Sequence, residues 1–128
     1  MTPAAQVVSL IKKNISQFDG LKSEHVHSFM ISQEDKTKTD AIIVVSEAPG
    51  GRHGYGNGVP IFERRRLQIE FYYPKNYMKD MEGLEKQIKS FLFAHGFVCY
   101  ANAGHVISPD QQNITNTLKF NYQKEDII

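Results

Sequence analysis

Cysteine occurs once in this chain, at Cys99, so no disulfide can form within one copy and the small secreted class held together by disulfides is excluded. A reducing cytosol fits that usage. Net charge is nearly absent too: 15 basic and 14 acidic side chains leave no overall field to draw the chain onto nucleic acid or an anionic membrane. Long apolar runs are missing. The longest, Ala41-Ile42-Ile43-Val44-Val45, falls far short of the roughly 20 residues a membrane-spanning helix needs. Met1 to Ile15 intersperses Gln6, Lys12, Lys13 and Asn14 among its apolar positions and lacks the apolar stretch and cleavage site of a signal peptide. The glycosylation patterns Asn14-Ile15-Ser16 and Asn113-Ile114-Thr115 therefore have no secretory context.

What is present is an ordinary globular balance: 128 residues, 41% hydrophobic and 23% charged, enough to bury a core and far from the signature of disorder. A single soluble domain over residues 1–128 is expected. Thr2-Pro3 is a good cap and first-turn pair, and Val7, Leu10, Ile11, Ile15 and Phe18 recur at helical spacing, so a helix runs to the stop at Asp19-Gly20. From Leu21 to Ser32 the pattern turns β-like, with His25, His27, Phe29 and Ile31 on one parity. The polar stretch Gln33 to Lys38 reads as a hairpin loop, and Ala41 to Ser46, apolar on both parities, as a central strand.

Five glycines and two prolines between Ala48 and Pro60 make regular structure improbable there and predict a long flexible loop over 48–60. Strict alternation resumes from Ile61 to Tyr73, with Leu67, Ile69, Phe71 and Tyr73 on one side. Met81, Leu84, Ile88, Phe91 and Leu92 form the stripe of a second helix ending before Gly96, weakened slightly by Gly83. Two strands, Phe97 to Ile107 and Ile114 to Tyr122, close the chain as a hairpin through 108–113. The order α-β-β-β-α-β-β predicts an α+β fold: a mainly antiparallel sheet with two helices packed on one face.

Chemistry-bearing constellations are sparse. The Gly-rich loop fails as a phosphate cradle, because Gly58 is followed by Val59-Pro60 and a strand where a P-loop or dinucleotide motif needs a helix. A loop of this length more often orders on a partner, and Arg52, His53 and Tyr55 supply side chains typical of interfaces. His25 and His27 are spaced to share a metal from one strand face, but His53, His95, His105 and Cys99 complete no known ligand motif. Cys99 with His95 lacks an orienting third group, and a strand cysteine is more often a small buried hydrophobe. The carboxylates Asp80, Glu82 and Glu85, like Glu34-Asp35 and Glu125-Asp126, form no acid–base pair. No catalytic residue, metal or cofactor is expected. In Arg64-Arg65-Arg66, alternation puts Arg64 and Arg66 together, on an exposed face, a guarded edge or an acidic partner.

The order of pieces resembles a known family. The opening helix Thr2 to Phe18, the strand Glu63 to Tyr73, the helix ending Ala94-His95-Gly96-Phe97, and Ser108-Pro109-Asp110 before the strand Thr115 to Tyr122 are similar to the small siphophage tail terminator or tail-completion proteins of Gram-positive phages and prophages. The resemblance covers most of the chain and is one of order and pattern. It implies a structural virion protein without enzymatic activity, working in the virion tail after assembly in the host cytoplasm. It implies a homo-oligomeric ring, a hexamer, that caps the tail tube, touches tail-tube protein and head-connector proteins, and meets nucleic acid only as DNA passing through its lumen. Arg52, His53, Tyr55, Arg64 and Arg66 are then the expected protein contacts. The competing expectation is a small adaptor or nucleic-acid-binding module using Arg64, Arg66 and the aromatic Tyr72 or Tyr122 on an open sheet face.

Overall fold

The computed structural model describes residues 2–31, 39–47, 52–56, 59–109 and 113–125, and of 52–56, 59–65 and 122–125 the backbone alone. The hairpin loop expected from Gln33 to Lys38 lies outside the described residues. The first helix, α1, spans Pro3–Lys13. The Thr2 hydroxyl accepts the Ala5 N–H at 3.1 Å, Pro3 occupies the first turn where no N–H is needed, and Lys12 and Lys13 sit at the negative end of the helix dipole. The helix is shorter than the periodicity suggested. Asn14 turns its side-chain amide onto the Leu10 carbonyl at 2.9 Å, and the chain tightens into a 3-10 turn, Ile15–Gln17.

Among the described residues seven strands follow: β1 Val26–Ser28, β2 Ile42–Glu47, β3 Arg52–Gly56, β4 Val59–Pro74, β5 Phe97–Asn102, β6 Val106–Ile107 and β7 Asn113–Glu125, with α2 Met81–Ala94 between β4 and β5. The sheet order is β1-β2-β4-β7-β5, with β3 also on β4 and β6 also on β7. Every pairing is antiparallel except β1 with β2. That exception corrects the expected hairpin. The segment read as one strand from Leu21 contains a 3-10 turn, Ser23–His25, before β1, and β1 runs alongside β2 in the same direction. β2 is interior, as its two-sided burial predicted, while β4 is the central strand.

In β4, Leu67, Ile69, Phe71 and Tyr73 are fully buried on one face, level with Ile43 and Val45 of β2 and Leu118 and Phe120 of β7. Ala4, Val7, Val8 and Ile11 of α1 and Leu84, Ile88 and Leu92 of α2 join them in one core. Both helices therefore cover the same sheet face, and the α+β architecture read from the sequence holds. Phe18 closes the gap between the helices, edge-on to Phe91 at 5.2 Å. Each large side chain here contributes about 1.5–3 kcal/mol by leaving water. The other face shows Arg66, Gln68, Glu70 and Tyr72 of β4 and Thr115, Thr117, Lys119 and Asn121 of β7, none of them buried.

The Gly-rich segment departs most from expectation. Arg52–Gly56 is a strand, hydrogen-bonded antiparallel to β4 with a register shift at Gly54/Tyr55, while Ala48 to Gly51, Asn57 and Gly58 lie outside the described residues. Paired backbone groups offset glycine's conformational entropy, which composition alone cannot reveal. The single strand expected from Phe97 to Ile107 is broken into β5 and β6. Gly104, at φ 88°, turns the chain between them, and both halves lie end to end along β7.

Candidate assembly surfaces

β2 leaves β4 at Glu47 opposite Leu67, but β4 runs on to Val59 with β3 on one side and β7, as far as Glu125, on the other. The eight residues Val59 to Arg66 carry the sheet about 26 Å past the last β2 pairing, at roughly 3.3 Å per residue. This three-stranded ribbon holds four of the five contact residues read from the sequence. Arg52 stands directly opposite Arg64, His53 opposite Glu63 and Tyr55 opposite Pro60, and Arg64 is level with Gln123 on the far side. Like charges at opposed positions disfavour strand pairing in isolation. Arg66, the fifth, sits where the ribbon joins the core, its guanidinium 5.5 Å from the centre of the Tyr100 ring.

Large apolar side chains remain exposed at the two lateral edges of the sheet: Phe29 and Met30 just beyond β1, Val98 and Tyr100 on β5, and Val106 and Ile107 on β6. Phe29 is held unusually. Its φ is 69°, and the Met30 N–H donates to the Ser28 carbonyl at 2.8 Å, closing a γ-turn of the rare positive-φ kind. A bulky residue in this region costs about 1–3 kcal/mol, and here its ring is still 50% exposed. Met30 is 74% exposed.

Two polar clusters lie at the core boundary. Glu85 of α2 is buried and accepts three hydrogen bonds: from Tyr73 Oη at 2.7 Å, from Asn116 Nδ2 at 2.7 Å, and from His105 Nε2 at 2.8 Å. Burial, then the adjoining Glu85 carboxylate, holds the Tyr73 phenol far above the ordinary tyrosine range. Glu85 and His105 line an open groove of about 510 Å³ with Lys86, Lys89 and Asn102. The sequence reading counts Glu85 among scattered carboxylates and does not single out Asn116 as its buried partner. Both interrupt apolar stripes: Glu85 is one turn from Met81 and beside Leu84 and Ile88, and Asn116 alternates with Ile114 and Leu118. Two polar residues placed in facing apolar stripes are a readable sign of a buried pair.

The second cluster corrects the histidine reading. His25 closes the 3-10 turn instead of lying in β1, is buried, and brings Nε2 to 3.3 Å from Asp40 Oδ2, which also receives Lys22 Nζ at 3.2 Å. His25 and His27 thus do not share a strand face. Burial pushes the Asp40 carboxyl up, but Lys22 and then His25 outweigh it and hold the group below its usual range. Burial and the Asp40 charge push the Tyr77 phenol up. His95 caps α2, its Nδ1 2.9 Å from the Phe91 carbonyl, and half-buried Cys99 turns its thiol to the Ala101 carbonyl at 3.4 Å. Among the described residues no three His, Cys, Asp or Glu side chains gather as a metal site, and no helix is long and apolar enough to cross a membrane.

On the open face, Glu70 accepts from Tyr72 Oη at 2.6 Å and from Gln68 Nε2 at 3.0 Å. Burial and this carboxylate push the Tyr72 phenol up to about 12. Tyr122, the other aromatic expected there, has its side chain outside the described residues. No family model matches the chain, and no curated protein is similar to it.

Proposed function

We propose that this chain is a structural subunit of the tail terminator or tail-completion kind: a non-enzymatic protein that assembles as a homo-oligomeric ring, a hexamer, capping a phage tail tube. In this reading it is made in the host cytoplasm, takes its place in the virion tail, meets tail-tube protein on one side and the head connector on the other, and lets DNA pass through the ring. The observation that carries it is the three-stranded ribbon of β3, β4 and β7. A ribbon that runs about 26 Å past the last β2 pairing, with Arg52 and Arg64 at opposed positions, suits a subunit that reaches a neighbour with acidic side chains.

An adaptor or nucleic-acid-binding role would draw on Arg66, Tyr100 and Lys119 of the open face. Glu70 places a carboxylate in the middle of that face, where a phosphate backbone would have to lie, and so favours the assembly reading. The test is electron microscopy of purified tail tubes mixed with the protein. Rings seated at one tube end are expected; bare tube ends, together with steep salt-dependent binding to oligonucleotides, would reverse the ranking.

A further inference from the structure

The groove of about 510 Å³ between α2 and the turn from β5 to β6 has the size of a small-molecule site. Helical spacing builds one wall. Glu82, Glu85, Lys86 and Lys89 follow one another at i, i+3, i+4 and i+7 and so share one face of α2, while Asn102, Gly104 and His105 form the other wall. Glu85 is buried and already accepts from Tyr73, Asn116 and His105. As a carboxylate it only accepts, so His105 Nε2 carries a proton, and in the neutral imidazole Nδ1 is then an acceptor. That nitrogen has no hydrogen-bond partner among the described residues, and the side chain, 27% exposed, lines the groove. The Asn102 side-chain oxygen takes the Gly104 N–H at 3.0 Å, which leaves the Asn102 amide N–H groups unused among the described residues. Lys86 and Lys89 likewise have no carboxylate within ion-pair distance among the described residues. Three donors meet the Glu85 charge, so the two lysines outnumber the rim acid Glu82.

We propose that this groove binds a phosphate group, as the free ion or as a monoester. Lys86 and Lys89 meet its charged oxygens, the Asn102 amide donates to it, and His105 Nδ1 accepts the proton that one phosphate oxygen still carries. The last contact selects the ligand. A phosphate group gives up its second proton at about pH 6, so part of it is still protonated near neutrality, whereas sulfate and carboxylates hold no proton there. Those anions would set a lone pair against the Nδ1 lone pair. The buried carboxylate gives the selection its rigidity: Glu85 is itself held by Tyr73 and Asn116, so the imidazole is fixed by a group that cannot turn away. The site lies within one chain and does not depend on assembly.

The test is a nuclear magnetic resonance titration of the full chain at pH 7 with inorganic phosphate, methyl phosphate and sulfate at matched ionic strength. Phosphate is expected to move the His105 ring nitrogen signals and the Gly104 amide saturably, and to bind about fivefold more tightly than sulfate, the scale of one hydrogen bond. Methyl phosphate binding more tightly than the inorganic ion assigns the site to an ester, and the reverse order to the free ion. The double variant Lys86→Gln/Lys89→Gln keeps the fold, since neither lysine belongs to the core, and is expected to lose the response. The absence of a saturable shift with either phosphate overturns the proposal. So does sulfate binding as tightly as phosphate, or a phosphate response that survives unchanged in the double variant.

Discussion

The Tyr73 hydroxyl, on the core face of the central strand, donates to Glu85 Oε2 at 2.7 Å and ties β4 to α2 through a buried carboxylate. Asn116 and His105 complete the cluster from β7 and from the turn before β6, so one side chain joins three parts of the fold. Removing it strands three donors. Glu85→Leu is expected to lower the unfolding free energy by about 2–4 kcal/mol, because the donors lose their acceptor at the core boundary. A double-mutant cycle of Glu85→Leu with Tyr73→Phe, measured by urea unfolding, should return a coupling of about 1–3 kcal/mol. Independent, additive effects would contradict the network.

Tyr72 carries a spectroscopic prediction. Its phenol is pushed up to about 12, by partial burial first and then by Glu70. The protonated form is thus favoured in the folded chain. Its contribution to stability is fully present below the ordinary tyrosine value of about 10, and is lost as pH rises through the folded value near 12. The difference in ultraviolet titration between wild type and Tyr72→Phe should show one phenol ionising near pH 12, and a midpoint near 10 would contradict the hydrogen bond to Glu70.

Asp40 works in the opposite direction at low pH. Lys22 and His25 hold its carboxyl below the usual range, so its stabilising contribution is fully present above the unfolded carboxylate value of about 4 and fades as pH falls through the lower folded value. Asp40→Asn should flatten the acid limb of a plot of stability against pH. An unchanged limb would place the acid sensitivity elsewhere.

Two glycines are expected to resist replacement by alanine, Gly83 against the simple helix rule and Gly20 in keeping with its positive φ. Glycine to alanine inside a helix normally gains about 1 kcal/mol. At Gly83, however, a Cβ would lie 2.6 Å from Asp80 Oδ2, part of the carboxylate that caps α2 by accepting the Gly83 N–H at 3.0 Å. Gly83→Ala should therefore bring no gain and a small loss in thermal midpoint. Gly20 adopts φ 78°, and a Cβ there would meet Lys79 Cδ at 2.9 Å and Tyr77 Oη at 3.2 Å. Gly20→Ala should cost about 1–2 kcal/mol or more, against a smaller loss for Gly104→Ala, where a Cβ meets open space.

The parts of the fold legible in the sequence are those written as period. The β4 alternation Leu67, Ile69, Phe71, Tyr73 and the α2 stripe Leu84, Ile88, Leu92 place the core and both helices on one sheet face, as read. Pairing direction is not written that way. Nothing in Val26–Ser28 distinguishes a parallel neighbour from an antiparallel one, and the turn at Phe29 that ends β1 requires a conformation no sequence rule assigns to phenylalanine. Arg52–Gly56 is a strand because β4 supplies hydrogen-bond partners, a long-range effect that glycine content conceals. Residue type marks Arg52, and the basic run with its alternation marks Arg64, but their opposition in register emerges only from the fold. The exposed edge residues were invisible for a related reason: an apolar side chain on a strand reads as core until the strand proves to be at an edge.

The central claim is assembly into a ring, and solution mass by light scattering over a concentration series, alone and then with purified tail-tube protein, tests it most directly. The account predicts a discrete species of six chains, present alone or appearing when tail-tube protein is added. A mass equal to one chain at every concentration, unchanged by tail-tube protein, would contradict it.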